Sequence, residues 1–348
     1  MKSSRRAVLG AAPALVAAPA IVRAQNAPRR WRMVTSWGKN LPGPGVSAER
    51  LARRITVMSQ GALEIEVFAA GAIAQAFGVL DAITSGAVEM GHTAALFWSG
   101  KMAAAPLFTT VPFGLSPSAH IGWLAGGGQA LWDELYATQG IKPLVGGNTG
   151  PSAGGWFKRE IGSLADVKGL RIRSTGLGGE VYNALGATAI AIPPSETYAS
   201  LERGVIDAVE LLAPVNDQPT GMNRIAPYYL FPGFNKPNGA SETLISLPLW
   251  RALPEHLQAI VAAACHAEHD LALGEATVAN GRVLRELVAT GVKARVFPDD
   301  VVAAARVAAD GILTRIGEKD ALSGKIVASY RTAAEAARTC DAVSMVRG

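Results

Sequence analysis

Strand-like and helix-like segments alternate along this chain, and that alternation restricts it to a layered α/β architecture. Trp31-Arg32-Met33-Val34-Thr35-Ser36-Trp37 reads as a first strand. A loop rich in Gly and Pro follows over 38–45, and Ser47 stands as an N-cap before a helical apolar pattern over 48–58. Residues 62–68 alternate apolar and polar with period two, as a half-buried strand does. A short helix over 79–83 stops at Gly86, and 89–94 is a further strand running into the aromatic pair Phe97-Trp98. This β-loop-α-β-α-β order predicts a parallel sheet.

A second α/β block follows. Strands are predicted over 142–148 and 154–158, a helical turn over 163–169, and a strand over 170–174. A helix over 178–185, a short strand over 189–194 stopped by prolines, a helix over 196–203 and a strand over 205–210 complete it. Residues 242–247 form one more strand. From Pro254 onwards the pattern is mostly helical, with a strand over 292–297 and closing helices over 299–316 and 325–339. The blocks divide the chain into 25–150 and 151–240, followed by 241–348.

The formal net charge of +5 points towards a polyanionic partner until its source is located. Lys2, Arg5 and Arg6 precede a short apolar stretch over 7–22, broken by Pro13 and Pro19, and Val22-Arg23-Ala24 is a small-residue cleavage site. Residues 1–24 read as a cleaved secretory signal. Arg5-Arg6 fits the twin-arginine type, and the same pair also suits the basic start of a general signal. The segment holds four of the 33 Lys and Arg residues and no acid, which leaves 29 basic residues against 28 acidic. Nucleic acid is thereby disfavoured, because phosphate binding needs clustered positive charge. Cys265 and Cys340 are the only cysteines, with no metal-binding spacing around them.

Nothing in the chain has the pattern of a nucleophile elbow, a zinc-protease helix or a P-loop. His266 and His269 stand three apart on a predicted helix and read as solvated, since zinc needs three or four ligands. Gly126-Gly127-Gly128 reads as a helix-flanking turn.

Stronger chemistry lies at two strand ends. Arg171 and Arg173 share one face of a predicted strand, and Arg173 ends it beside Gly176, Gly178 and Gly179. Ligands of open α/β sheets collect at the carboxyl ends of strands, where a guanidinium takes a carboxylate through paired hydrogen bonds. The competing reading is two surface arginines on an edge strand. Glu210 ends the strand over 205–210 in an apolar setting. It suits a metal ion, a ligand hydroxyl, a surface position, or a partner for Arg173 in the empty state. Phe97-Trp98 and Trp156-Phe157 supply either core or pocket walls.

The order of these pieces resembles the extracytoplasmic solute-binding proteins of tripartite ATP-independent periplasmic (TRAP) transporters. Thr35-Ser36-Trp37, Phe68-Ala69-Ala70-Gly71, Glu89-Met90-Gly91, Lys168-Gly169-Leu170-Arg171-Ile172-Arg173, Gly204-Val205-Ile206-Asp207-Ala208 and Tyr228-Tyr229 stand in family order. The resemblance implies a two-domain fold of the periplasmic-binding-protein type, with a ligand cleft, crossing strands and a long domain-spanning helix. Residues 241–348 would then complete both domains. It also implies capture of a small monocarboxylate by Arg173 in the periplasm, delivery to TRAP membrane subunits, and no enzymatic turnover. An exported enzyme acting on a small acid and a ligand sensor for a membrane receptor are the alternatives. Exchange of C-terminal helices in some relatives suggests a homodimer.

Asn148-Thr149-Gly150, Gly154-Gly155-Trp156-Phe157 and Asp207-Ala208-Val209-Glu210 look closest to the 2-oxo-acid branch of the family. Substrate contacts are therefore expected from Arg173, Asn148, Ser152, Phe97, Trp98, Trp156, Glu210 and Leu211. A cation, usually sodium, is implied at Glu210, Ser152 and Leu211, bridging to the acid. The branch has glutamine at the position of Ser152 and tryptophan at that of Leu211. Both changes shorten side chains and make room for a longer acid.

Overall fold

The structure is a computed structural model and describes residues 28–344, with side chains described to residue 340. The signal expected over 1–24 lies outside the described residues. Chain order begins with β1 (Arg29–Thr35), α1 (Pro44–Met58), β2 (Leu63–Phe68), α2 (Val79–Thr84) and β3 (Met90–Thr93). Helices α3 (Pro117–Trp123) and α4 (Gln129–Ala137) lead to β4 (Ile141–Asn148). The second block holds β5 (Gly155–Phe157), β6 (Arg171–Arg173), α5 (Gly176–Ala184), β7 (Thr188–Ile190), α6 (Thr197–Glu202), β8 (Ala208–Val209), α7 (Pro214–Asp217) and β9 (Tyr228–Phe231). The chain ends with β10 (Ala240–Ser246), α8 (Leu247–Arg251), α9 (Glu255–Ala289), β11 (Lys293–Val296), α10 (Asp299–Gly317) and α11 (Ala321–Ser344).

Two sheets result. The first has strand order β2-β1-β3-β10-β4 and the second β11-β9-β5-β8-β6-β7. In the first sheet β1 runs parallel to β2 and β3, as the βαβ order requires. Strand β10 enters antiparallel between β3 and β4. In the second sheet β5 is antiparallel to both β8 and β9, while β6 is parallel to β7 and β8.

The chain crosses between the sheets after β4, again after β9 and a third time along α9, from β10 to β11. The first two crossing segments run together: Thr149 N–H donates to Gly239 O at 3.1 Å, and Ser152 N–H to Lys236 O at 3.0 Å. Their approach is close enough that a Cβ on Gly233 would meet Ser152 O at 2.0 Å.

Strand alternation sorts neighbours to opposite faces of the second sheet. Phe157, Ala208 and Leu230 join the larger apolar core, whereas Trp156, Val209 and Tyr229 join a second cluster. Helix α9 ties the cores together. Leu257, Val261 and Ala264 near its start pack in the first, and Val283 and Leu287 near its end in the second.

The helical pattern that starts at Pro254 and continues to residue 288 is one 35-residue helix. Two sequence readings change here. Strand β8 is two residues long rather than six. His269 is buried, because it shares the inward face of α9 with Cys265, Ala272 and Ala276, while His266 is exposed as expected. The Nε2 of His269 accepts from Asn148 Nδ2 at 3.0 Å, and burial holds its pKa below the ordinary histidine value.

Candidate functional site

A cleft of about 150 Å³ lies between the two sheets. Trp37, Phe97 and Leu96 line it from the first side, Arg173, Leu211 and Asp217 from the second, and Lys236 from a crossing segment.

Arg173 is positioned by β6. Its backbone O accepts from Glu210 N–H at 2.8 Å, which sets the residue after β8 directly beside it. The side chain is only 2 % exposed. Nε donates to Ile192 O at 3.0 Å and Nη1 to Glu210 O at 2.7 Å. Burial pulls its pKa below the ordinary arginine value, opposed by the charges of Glu210 and Asp217. A guanidinium has five N–H donors and stays protonated in proteins, so the charge persists with donors to spare for the cleft.

Glu210 is fully buried, and its Oε2 accepts from Ser174 Oγ at 2.8 Å. Its Oε1 forms an ion pair with Lys236 Nζ, and the same Nζ donates to Leu211 O. Asp217, also buried, accepts from Trp156 Nε1 at 3.1 Å, Tyr229 Oη at 3.0 Å and Leu212 N–H at 3.1 Å. Burial pushes its carboxyl up to about 6, against those hydrogen bonds and the charge of Lys236. The cleft thus combines an apolar wall with a small set of buried charges, as pockets for small anions do.

On the first side, His92 orients Trp37. Its Nδ1 accepts from Trp37 Nε1 at 2.8 Å, and its Nε2 donates to Gly146 O at 2.8 Å. Those two bonds require the neutral tautomer, and burial pushes the ring pKa down to about 4. Phe97 packs on Trp37 with ring centroids 6.0 Å apart.

Of the residues expected from the sequence, Arg173, Phe97 and Leu211 line the cleft together. Glu210 stands immediately behind it, through Lys236. Trp98 turns away into the core, where Nε1 donates to Glu242 Oε1 at 2.6 Å. Trp156 is buried in a stack on Tyr229, centroids 3.9 Å apart, and reaches the cleft only through Asp217. Asn148 faces a separate groove beside α1 and α9 and bonds Asn238 Oδ1 at 2.8 Å. Ser152 is buried in the crossing segment and does not line the cleft. Trp37, Asp217 and Lys236 are site residues that sequence reasoning missed. For Asp217 and Lys236 no strand or helix periodicity marks the short helix and loop that carry them.

The oxygens expected to hold a cation can be tested against this geometry. Glu210 Oε1 and Leu211 O both face the Lys236 ammonium, which is 5 % exposed. With Lys236 in place this donor set fits an ammonium rather than a metal ion. Among the described residues, no group of three or more His, Cys, Asp or Glu side chains has metal-holding geometry.

The fold agrees with that of known relatives. Residues 38–320 match the DctP family, bacterial extracellular solute-binding protein family 7. A monocarboxylate 2-oxoacid-binding periplasmic protein of Nostoc sp. is 37 % identical over 303 residues, covering 87 % of this chain and 83 % of that protein. A TRAP solute-binding protein of Bordetella bronchiseptica, solved with copurified calcium and picolinate, superposes with a TM-score of 0.89 at 35 % identity. That match covers 92 % of this chain and 95 % of the other. A relative from Pseudoalteromonas atlantica, solved with sodium and pyruvate, gives 0.88 at 36 % identity, over 91 % of this chain and 97 % of the other. Such relatives are solute receptors rather than enzymes, and in the two solved structures the acid is accompanied by a cation. The chain belongs to bacterial extracellular solute-binding protein family 7, the receptor family of TRAP transporters.

Proposed function

We propose that this protein captures a small monocarboxylate, a 2-oxo or 2-hydroxy acid, between its sheets and hands it to the membrane subunits of a TRAP transporter. The observation that carries this reading is the buried Arg173. Its charge faces the cleft while two of its N–H groups are anchored on backbone carbonyls. A desolvated carboxylate needs hydrogen-bonded positive charge, and Arg173 offers it. Phe97, Trp37 and Leu211 shape the apolar remainder, and Trp156 acts through Asp217. The two halves, 25–150 and 151–240 with 241–348 completing both, are the bodies that close over the acid by hinge motion.

The periplasm is the location this reading requires, reached by the signal over 1–24. Among the described residues no helix is long and apolar enough to cross a membrane. A homodimer through the C-terminal helices belongs to the same reading, and light scattering after gel filtration tests it. Isothermal titration with pyruvate and 4-methyl-2-oxopentanoate tests the function itself. Saturable binding of either acid supports it, and silence from both refutes it.

A further inference from the structure

We propose that this chain carries its own cation: the Lys236 ammonium occupies the place at which the family resemblance implies a bridging metal ion, and acid binding here needs no metal ion. The inference rests on the proposed function and specifies how that site works.

Lys236 Nζ sits between Glu210 Oε1 and Leu211 O, two of the three positions at which a bridging cation is implied. The third, Ser152, is a shorter side chain whose Oγ has no hydrogen-bond partner. Its neighbour in the crossing is Lys236 itself, through Ser152 N–H to Lys236 O at 3.0 Å. Positive charge therefore already stands at the place, and Ser152 reaches towards it less far than the glutamine that the resemblance implies there.

Burial makes the arrangement exclusive. Glu210 is fully buried, and Lys236 is almost so. Its carboxylate already has Ser174 Oγ on one oxygen and the ammonium on the other. A metal ion entering there would meet a second positive charge at contact distance in a poorly screened interior. It would otherwise have to expel Lys236 from its buried partner, leaving that charge desolvated and unpaired.

The ammonium also has the capacity to bridge. It carries three N–H donors, of which Leu211 O takes one while Glu210 Oε1 stands in ion-pair contact. Lys236 lines the same cleft as Arg173, so a remaining donor is available to the acid. The two cations then hold the ligand from two directions, and Glu210 balances part of their charge.

The test uses the full mature chain, stripped with EDTA and exchanged into sodium-free buffer. Pyruvate and 4-methyl-2-oxopentanoate are titrated in EDTA, in sodium chloride and in calcium chloride. Dissociation constants equal within about twofold across the three conditions are expected. Native mass spectrometry should show the mass of the acid alone. Binding that disappears in EDTA and returns with sodium or calcium overturns the inference while leaving the proposed function standing. Silence from both acids in every buffer removes the proposed function and the inference with it. Lys236→Gln gives a second readout. It is expected to weaken metal-free binding about tenfold or more, with partial recovery in calcium. An unchanged metal-free affinity in that variant also overturns the inference. Should the variant fail to fold, the wild-type comparison decides alone.

Discussion

Arg173 Nη1 donates to the backbone carbonyl of Glu210 at 2.7 Å, and its partner there is not the Glu210 carboxylate. That carboxylate is taken by Ser174 and Lys236. Among the described residues Arg173 has no ion-pair partner, so an incoming acid meets a guanidinium already oriented and not yet neutralised. Arg173→Ala is expected to weaken pyruvate binding by about 100-fold, the scale of a lost charged, paired hydrogen bond. Calorimetry checks it, with circular dichroism confirming the fold. An unchanged dissociation constant would refute the role.

Asp217 is expected to make binding depend on pH. Burial pushes its carboxyl up to about 6, beside Tyr229 and within reach of the charges of Arg173 and Lys236. An anion entering beside it raises that pKa further, so binding is linked to proton uptake. Affinity for an acid that stays ionised should rise as pH falls from 7 to 5, by roughly threefold. Asp217→Asn should flatten the profile. A wild-type affinity that falls over this range contradicts the linkage.

Stability should respond to pH through His92 and His120, whose burial pushes both rings down to about 4. Unfolded histidine titrates near 6.5, so between those values the unfolded chain takes up protons that the fold refuses. Their contribution is full above pH 6.5, is lost as pH falls to about 4, and levels off below. Each ring accounts for about 3 kcal/mol over the whole span. Urea unfolding at several pH values measures the slope, which His92→Gln should reduce.

The crossing segments tolerate no added bulk. A Cβ on Gly233 would meet the backbone of Ser152 and Ala153, whereas one on Gly274, exposed on α9, meets nothing within 4 Å. Gly233→Ala should cost about 1–3 kcal/mol, and Gly274→Ala should gain about 0.5–1 kcal/mol. Comparable urea midpoints for the two variants would show that the crossing is looser than its geometry.

Leu211 is expected to set the length of acid admitted. It lines the cleft, at the position where the resemblance to the 2-oxo-acid branch implies tryptophan. Leu211→Trp should shift preference towards pyruvate over 4-methyl-2-oxopentanoate by about tenfold or more, because overpacking penalises the longer chain. Competition calorimetry with the two acids reads that ratio.

What could be read from residues alone follows from periodicity. Arg173 was legible because it ends an alternating strand beside small residues that open a helix. Lys236 was not, because the loop between β9 and β10 has no period to give its direction. The adjacent aromatics Phe97 and Trp98 were ambiguous for the same reason. A turn of 3₁₀ helix sends Phe97 to the cleft and Trp98 to Glu242. Helices α3 and α4 were hidden by Gly126-Gly127-Gly128, which argue for a break. The chain instead passes through a π turn with Gly127 at φ 124°, a conformation open to glycine. Along α9, buried Glu268 and His269 interrupt the apolar stripe. Arg50 offsets the first at 2.7 Å and Asn148 the second.

The place of β10 in the first sheet governs the order in which this molecule can assemble. Strand β4 touches that sheet only through β10, and β10 follows it by almost one hundred residues. During synthesis β3 therefore keeps one open edge and β4 has no strand partner until β10 has left the ribosome. Open edges of this kind invite pairing with other chains. A nascent chain halted inside the second block would carry both, and its protection would fall to chaperones rather than to its own fold.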